Sequence, residues 1–295
     1  MKIVYIGSVE FSAKSLEKLL KVGANVVGVI TKSASVVNSD FRDLSEIAAN
    51  NNTPSHYTKN INSHDTLNWI KNLQPDVLMC FGWSNLIKKE VLEVAPLGVV
   101  GFHPALLPNN RGRHPLIWAK VLGLKESGNT FFFMDEGADT GDILSQKSFE
   151  ILPQDDAAVL YQKMTDIAMV QIEEFHSQLV LGNYPKIAQD QTAGNNWRKR
   201  GMKDGEIDFR MSTERICNLV RALAKPYVGA HVQLGDQVNA VWTIEEGDGK
   251  QDWNNIEPGK VLNIEGNKIE VKTGDGSVWL SNHEFEELPE TGSYL

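Results

Sequence analysis

Lys2-Ile3-Val4-Tyr5-Ile6-Gly7, then Ser12 to Val22, then Asn25-Val26-Val27-Gly28-Val29-Ile30 is the stretch that decides the fold. Lys2 to Ile6 is a short apolar run, rich in β-formers and closed by a glycine, which is how a buried strand reads. Ser12 is placed to cap a helix through Val22, with Leu16, Leu19 and Leu20 on one face and Gly23 ending it. Asn25 to Ile30 is a second buried strand. A strand, a helix and a strand in that order form a right-handed parallel unit.

The same alternation continues outward. Asp43 to Ala49 reads as a helix, and Ser63 caps another that carries Leu67, Ile70 and Leu73. Asp76 to Phe81 and Val99 to Phe102 are apolar strands. Pro115 suits the first turn of a helix through Leu122. Thr130 to Met134 and Ile143 to Phe149 are further strands, and Asp155 to Leu181 is a long amphipathic helix stopped by Gly182 and Pro185. Strands alternating with helices predict an α/β domain with a mostly parallel sheet over residues 1–187. Residues 188–203 are polar and irregular and are expected to be a linker. Beyond them, in 204–295, one helix (Thr213 to Ala224) precedes short strands at 230–234, 238–244, 260–264, 268–272 and 277–280. Turn pairs such as Gly235-Asp236 and Gly266-Asn267 separate them, which predicts a small open barrel or sandwich.

Composition narrows the function. Lys and Arg total 29 against 38 Asp and Glu, a net charge of -9, which opposes a whole-surface grip on nucleic acid phosphates. The two cysteines, Cys80 and Cys217, are far apart and form no C-x-x-C pair, so buried thiols in a reducing compartment are expected. The apolar run at the N-terminus is too short for a signal peptide, and no stretch is long enough to span a membrane. A cytoplasmic protein with no membrane partner is the expectation. Gly7 opens no G-x-G-x-x-G, there is no P-loop lysine, and His103, His114, Asp139 and Asp142 match no zinc spacing, so no metal is expected.

Chemistry concentrates in three stretches, each following a strand. Gly101-Phe102-His103-Pro104 runs into a loop rich in Pro, Gly and Arg up to Pro115. Catalytic groups of open α/β sheets collect at such carboxyl strand ends, and histidine is suited to proton transfer near neutrality. Met134-Asp135-Glu136-Gly137-Ala138-Asp139-Thr140-Gly141-Asp142 sets acids and glycines together, and a carboxylate beside a histidine favours the imidazolium. Phe81-Gly82-Trp83-Ser84-Asn85-Leu86-Ile87 offers apolar walls to a flat ligand. Taken singly, each stretch also reads blandly, as a backbone-bonded histidine, an acidic turn and core packing.

Together, and in order along nearly the whole chain, these stretches resemble the folate-dependent formyltransferases. The resemblance rests on His103-Pro104-Ala105-Leu106-Leu107-Pro108, on Arg111-Gly112-Arg113 and on Asp135 to Asp142. It extends to Met1 to Leu20, Asp204-Gly205-Glu206-Ile207-Asp208-Phe209, Arg221-Ala222 and Pro226 to Ala230. It implies a Rossmann-like sheet with helices on both faces, followed by a small OB-like β-barrel. It implies formyltetrahydrofolate as co-substrate and an amine as acceptor. His103 would be the catalytic histidine and Asp139 the carboxylate that sets its charge. Folate would lie around Asn85, Leu86, Ile87 and Arg113 and along Asp135, Glu136, Gly137, Ala138 and Asp139.

The sequence departs from the family at one point. Where the family carries Asn, any residue and His, this chain has Gly101, so the side-chain half of the expected oxyanion hole is absent. Ser84, Asn85, Asn109, Asn110 and a backbone N–H near Gly101 are the replacements on offer. Two acceptors compete. Methionyl-tRNA formyltransferases carry a long basic loop after the second strand, whereas Thr31 to Asp40 here has one lysine and no arginine. That favours a nucleotide-linked amino sugar over tRNA. Trp197-Arg198-Lys199-Arg200-Gly201-Met202-Lys203 is the opposing basic run, read as a solvated segment. Arg111 is a candidate for the nucleotide diphosphate. A non-catalytic folate- or nucleotide-binding relative is the third reading, and a homodimer is left open.

Overall fold

The computed structural model describes residues 1–34, 40–248 and 255–295. They form two compact units: Met1–Gly112 with Gly128–Phe149 and Lys163–Trp197, and Arg113–Ser127 with Glu150–Gln162 and Arg198–Leu295.

The first unit is built on a seven-stranded sheet. Its strands are β1 (Lys2–Ile6), β2 (Asn25–Thr31), β3 (Ser55–Tyr57), β4 (Val77–Cys80), β5 (Val99–His103), β7 (Glu126–Phe133) and β8 (Ile143–Glu150), in the order β3-β2-β1-β4-β5-β7-β8. The pairs from β3 through β5 are parallel, and β7 runs antiparallel to β5. Helices α1 (Glu10–Lys21), α2 (Ser45–Asn50), α3 (His64–Leu73) and α4 (Lys89–Leu92) intervene. Side chains alternate across the sheet. Val4, Ile6, Leu78 and Cys80 join Ile70 of α3 in one core. Tyr5 meets Phe81, Phe81 meets Phe131, and Phe131 meets both Phe102 and Phe175 of the long helix α6 (Ala157–Leu181) in an aromatic second core. Burial on both faces is why β1, β2 and β4 read as continuous apolar runs.

The expected elements are present with small shifts at their ends. Ser63 caps α3 through the Thr66 N–H. Ser12 is a correction: α1 begins at Glu10, and Ser12 lies inside its first turn. From there its hydroxyl accepts the Ser8 and Val9 N–H groups at 3.2 Å and donates to the Phe81 carbonyl at 2.6 Å. It satisfies the same orphan donors from the other side of the cap.

The second unit holds a five-stranded antiparallel sheet in the order β10-β11-β14-β13-β12. Its strands are β10 (Ala230–Leu234), β11 (Gln237–Glu246), β12 (Val261–Glu265), β13 (Lys268–Lys272) and β14 (Ser277–His283). Helix α7 (Thr213–Leu223) lays Ile216, Leu219, Val220 and Leu223 against Val241, Ile269, Val271 and Leu280, and Ile117 of α5 (Pro115–Val121) joins that core. Among the described residues, no helix is long and apolar enough to cross a membrane.

Candidate active site

Strand β5 ends at His103, paired with Thr130 of β7 near the centre of the sheet. The side chain is nearly buried, at 6% exposure. The chain beyond it is held by Thr130, whose hydroxyl donates to the Ala105 carbonyl at 2.7 Å and accepts the Leu107 N–H at 3.3 Å. This path brings Asn110 back over the ring, where its carbonyl accepts from Nε2 at 2.8 Å. Asn110 adopts a positive φ of 63°, and its N–H is fixed by the Asn195 side chain at 2.9 Å.

The other ring nitrogen, Nδ1, lies 3.6 Å from Oδ2 of Asp139. That separation is too long for a hydrogen bond and close enough for strong attraction if the ring is charged. A carbonyl on one nitrogen and a carboxylate near the other are both acceptors. Oδ2 also accepts the Gly112 N–H at 3.0 Å, which aims the carboxylate. Gly112 has a φ of 101°, and a Cβ there would strike the Trp197 carbonyl, because the short strands β6 (Arg111–Gly112) and β9 (Asn196–Trp197) pair directly.

Residues from the 188–203 stretch hold both loops. Gln189 donates to the Asp139 carbonyl at 3.0 Å and the Gly141 carbonyl at 2.6 Å, and accepts from Arg111 Nη2 at 2.8 Å. Gln191 donates to the Thr140 carbonyl at 2.8 Å. Sequence reasoning missed Gln189, Gln191 and Asn195, because scattered amides carry no periodic signal. Arg111 is corrected as well. It is 6% exposed, with Nε on the Asp139 carbonyl, so it braces the loop rather than standing open to a diphosphate.

Gly101 precedes His103 by two residues, so both face the same side of β5. A Cβ on Gly101 would lie 2.8 Å from Met134 Cγ, 3.0 Å from Met134 Sδ and 3.2 Å from Phe132 Cζ. Met134 therefore fills the space that a side chain at position 101 would need. Of the suggested replacements, Asn110 reaches the ring, but as an acceptor. Asn85 donates to the Lys59 carbonyl at 3.2 Å, and Ser84 and Asn109 are exposed.

The remaining candidates are spread more widely. Asp135, Glu136, Gly137 and Ala138 form an exposed turn in which Asp135 Oδ1 accepts from the Gly137 N–H and the Thr140 hydroxyl. Glu136 lies 4.0 Å from Lys89, which links this turn to the segment that carries Asn85 and Leu86. Leu86 is 67% exposed, whereas Ile87 is 2% exposed and belongs to the core. Arg113 is exposed and falls in the second unit. In that unit Arg198 and Arg200 stack on Trp118 at 5.3 and 4.6 Å, and Arg198 pairs with Asp204, whose carboxyl it holds well below the usual range. Of the stretch expected to lack a basic loop, residues 35–39 lie outside the described residues.

Family comparison gives two matches in order, Formyl transferase over residues 1–172 and Formyl transferase, C-terminal domain, over 201–290. Solved structures share the fold. An N-formyltransferase from Helicobacter canadensis, solved with folinic acid and dTDP-3-aminofucose, superposes with a TM-score of 0.74 at 19% identity, covering 95% of this chain and 99% of that one. WlaRD, a sugar 3N-formyl transferase solved with dTDP and 5-N-formyl-THF, gives 0.71 at 18%, covering 98% and 99%. HypX from Aquifex aeolicus gives 0.68 at 17%, covering 97% of this chain, which spans 46% of that protein. The consecutive matches take in both units and the strand end that carries His103, and the chain belongs to the formyl transferase family.

Proposed function

We propose that this chain transfers the formyl group of formyltetrahydrofolate to the amino group of a nucleotide-linked amino sugar, with His103 and Asp139 as the catalytic pair. The approach of Asp139 to His103 Nδ1 at 3.6 Å, on loops shared with the family, carries the reading. The amine attacks the formyl carbon, and negative charge grows on the formyl oxygen. Protonated His103 donates to that oxygen, exchanging the Asn110 carbonyl for it. A preorganised donor of this kind lowers the barrier by roughly 3–4 kcal/mol. The intermediate collapses by breaking the bond from the formyl carbon to the folate nitrogen, which leaves with a proton, while the acceptor nitrogen loses one to water or a base.

The sugar acceptor is favoured by the Helicobacter and WlaRD proteins, which match over nearly their full length and were solved with dTDP ligands. It is favoured too by the engagement of Arg198 and Arg200 with Trp118 and Asp204, which leaves that basic run poorly placed to grip phosphates. The test is release of tetrahydrofolate on mixing the full chain with formyltetrahydrofolate and a panel of dTDP-, UDP- and GDP-linked amino sugars. Turnover with at least one of them is expected. Turnover solely with charged initiator tRNA, or tight folate binding without turnover on any amine, contradicts the assignment.

A further inference from the structure

A cleft of about 320 Å³ is lined wholly by residues of the second unit. Its lining includes Lys120, Lys125, Glu214, Asn218, Arg221 and Glu246. Glu214, Asn218 and Arg221 stand at i, i+4 and i+7, so they share one face of α7.

Three of these side chains have donors to spare. Lys120 is 1% exposed, and its ammonium donates to the Leu152 and Pro153 carbonyls at 3.0 and 2.7 Å, with a third N–H left over. Burial, reinforced by Arg221 and partly offset by Asp155, lowers its pKa to about 8. Arg221 donates from Nη1 to the Pro153 carbonyl at 3.1 Å, and the rest of its fork has no protein partner among the described residues. Asn218 is 5% exposed, and its side-chain amide makes no hydrogen bond among the described residues. Its polar atoms are not among those sealed from solvent, so the amide is free to bond a group held in the cleft.

We propose that this cleft binds a small oxyanion, a phosphate or carboxylate group, held by Lys120, Asn218 and Arg221. The planar guanidinium meets such a group with two parallel N–H bonds, and the lysine and the amide supply the others. Of the two acids in the lining, Glu214 lies 3.8 Å from Lys125, and Glu246 is exposed, where water and salt screen it.

Inorganic phosphate and, separately, acetate are titrated calorimetrically into the full chain at fixed ionic strength and pH 7. The same titrations are run on Arg221→Gln and Asn218→Leu, with circular dichroism confirming that both variants fold. Saturable binding to the wild-type chain is expected, weakened at least about tenfold in Arg221→Gln, the loss of one charge-assisted contact. Preference for phosphate or acetate identifies which oxyanion the site takes. Absence of saturable binding by either ion, or equal binding by all three proteins, overturns the proposal.

Discussion

Met134 stands where a side chain at position 101 would have to go, its Cγ 2.8 Å from a Cβ placed on Gly101. The glycine and the methionine are thus complementary in volume. Placing an asparagine at 101 alone is therefore expected to fail. Gly101→Asn should cost about 1–3 kcal/mol by overpacking, without a gain in rate. Combined with Met134→Ala, which leaves only Phe132 Cζ within 3.2 Å of the new Cβ, the asparagine can lie beside His103 and supply a donor. Formyl-transfer rates of the double variant should exceed those of Met134→Ala by at least about tenfold, within the range of one oxyanion contact. Equal rates would mean that the donor is supplied from elsewhere.

Gln189 ties together both loops and the buried Arg111. Gln189→Leu removes two donors and one acceptor from groups that are largely shielded from water. A loss of about 2–4 kcal/mol in denaturant unfolding is expected, from more than one buried group left unpaired. Asp139 loses one of its supports, so kcat should fall while KM for folate changes little. A variant as stable as the parent would remove Gln189 from this role.

The thiols give a pH signature. Burial pushes Cys80 up to about 12 and Cys217 up to about 11. Between about pH 9 and those values the unfolded chain releases thiol protons that the native chain retains, so stability falls as pH rises. Lys120, lowered to about 8, acts with the opposite sign between about 8 and 10.5. Comparing Cys217→Ala with the parent separates the two, since the variant should lose less stability between pH 8.5 and 10.5. Equal losses would show that the Cys217 thiol contributes nothing. The native chain should also be inert to thiol reagents at pH 8 until it unfolds.

Much of the fold was legible because both faces of the main sheet are covered, so that Lys2–Ile6 and Val77–Cys80 appear as unbroken apolar runs ended by turns. Strand β3, three residues at the sheet edge, is too short to show a period. The loops of His103 and Asp139 were legible as family motifs, but what lies between them was not. Gly101 and Met134 meet through the register of β5 with β7, a relationship over 33 positions that no local pattern encodes. Gln189 and Asn195 look like linker polarity because their partners are backbone groups on other loops. Ile87 shows the converse: an apolar residue in a motif belongs to the core beneath it.

The roles proposed for His103 and Asp139 are separated by single-turnover formyl transfer in His103→Ala and Asp139→Asn, with folate binding measured in parallel. Asparagine at 139 can still accept the Gly112 N–H, so the loop should persist while its charge is removed. Folate affinity should be unchanged in His103→Ala, and the rate should be at least about 10²-fold lower in each variant, the scale of a lost general acid. A rate close to that of the parent in either variant would contradict it.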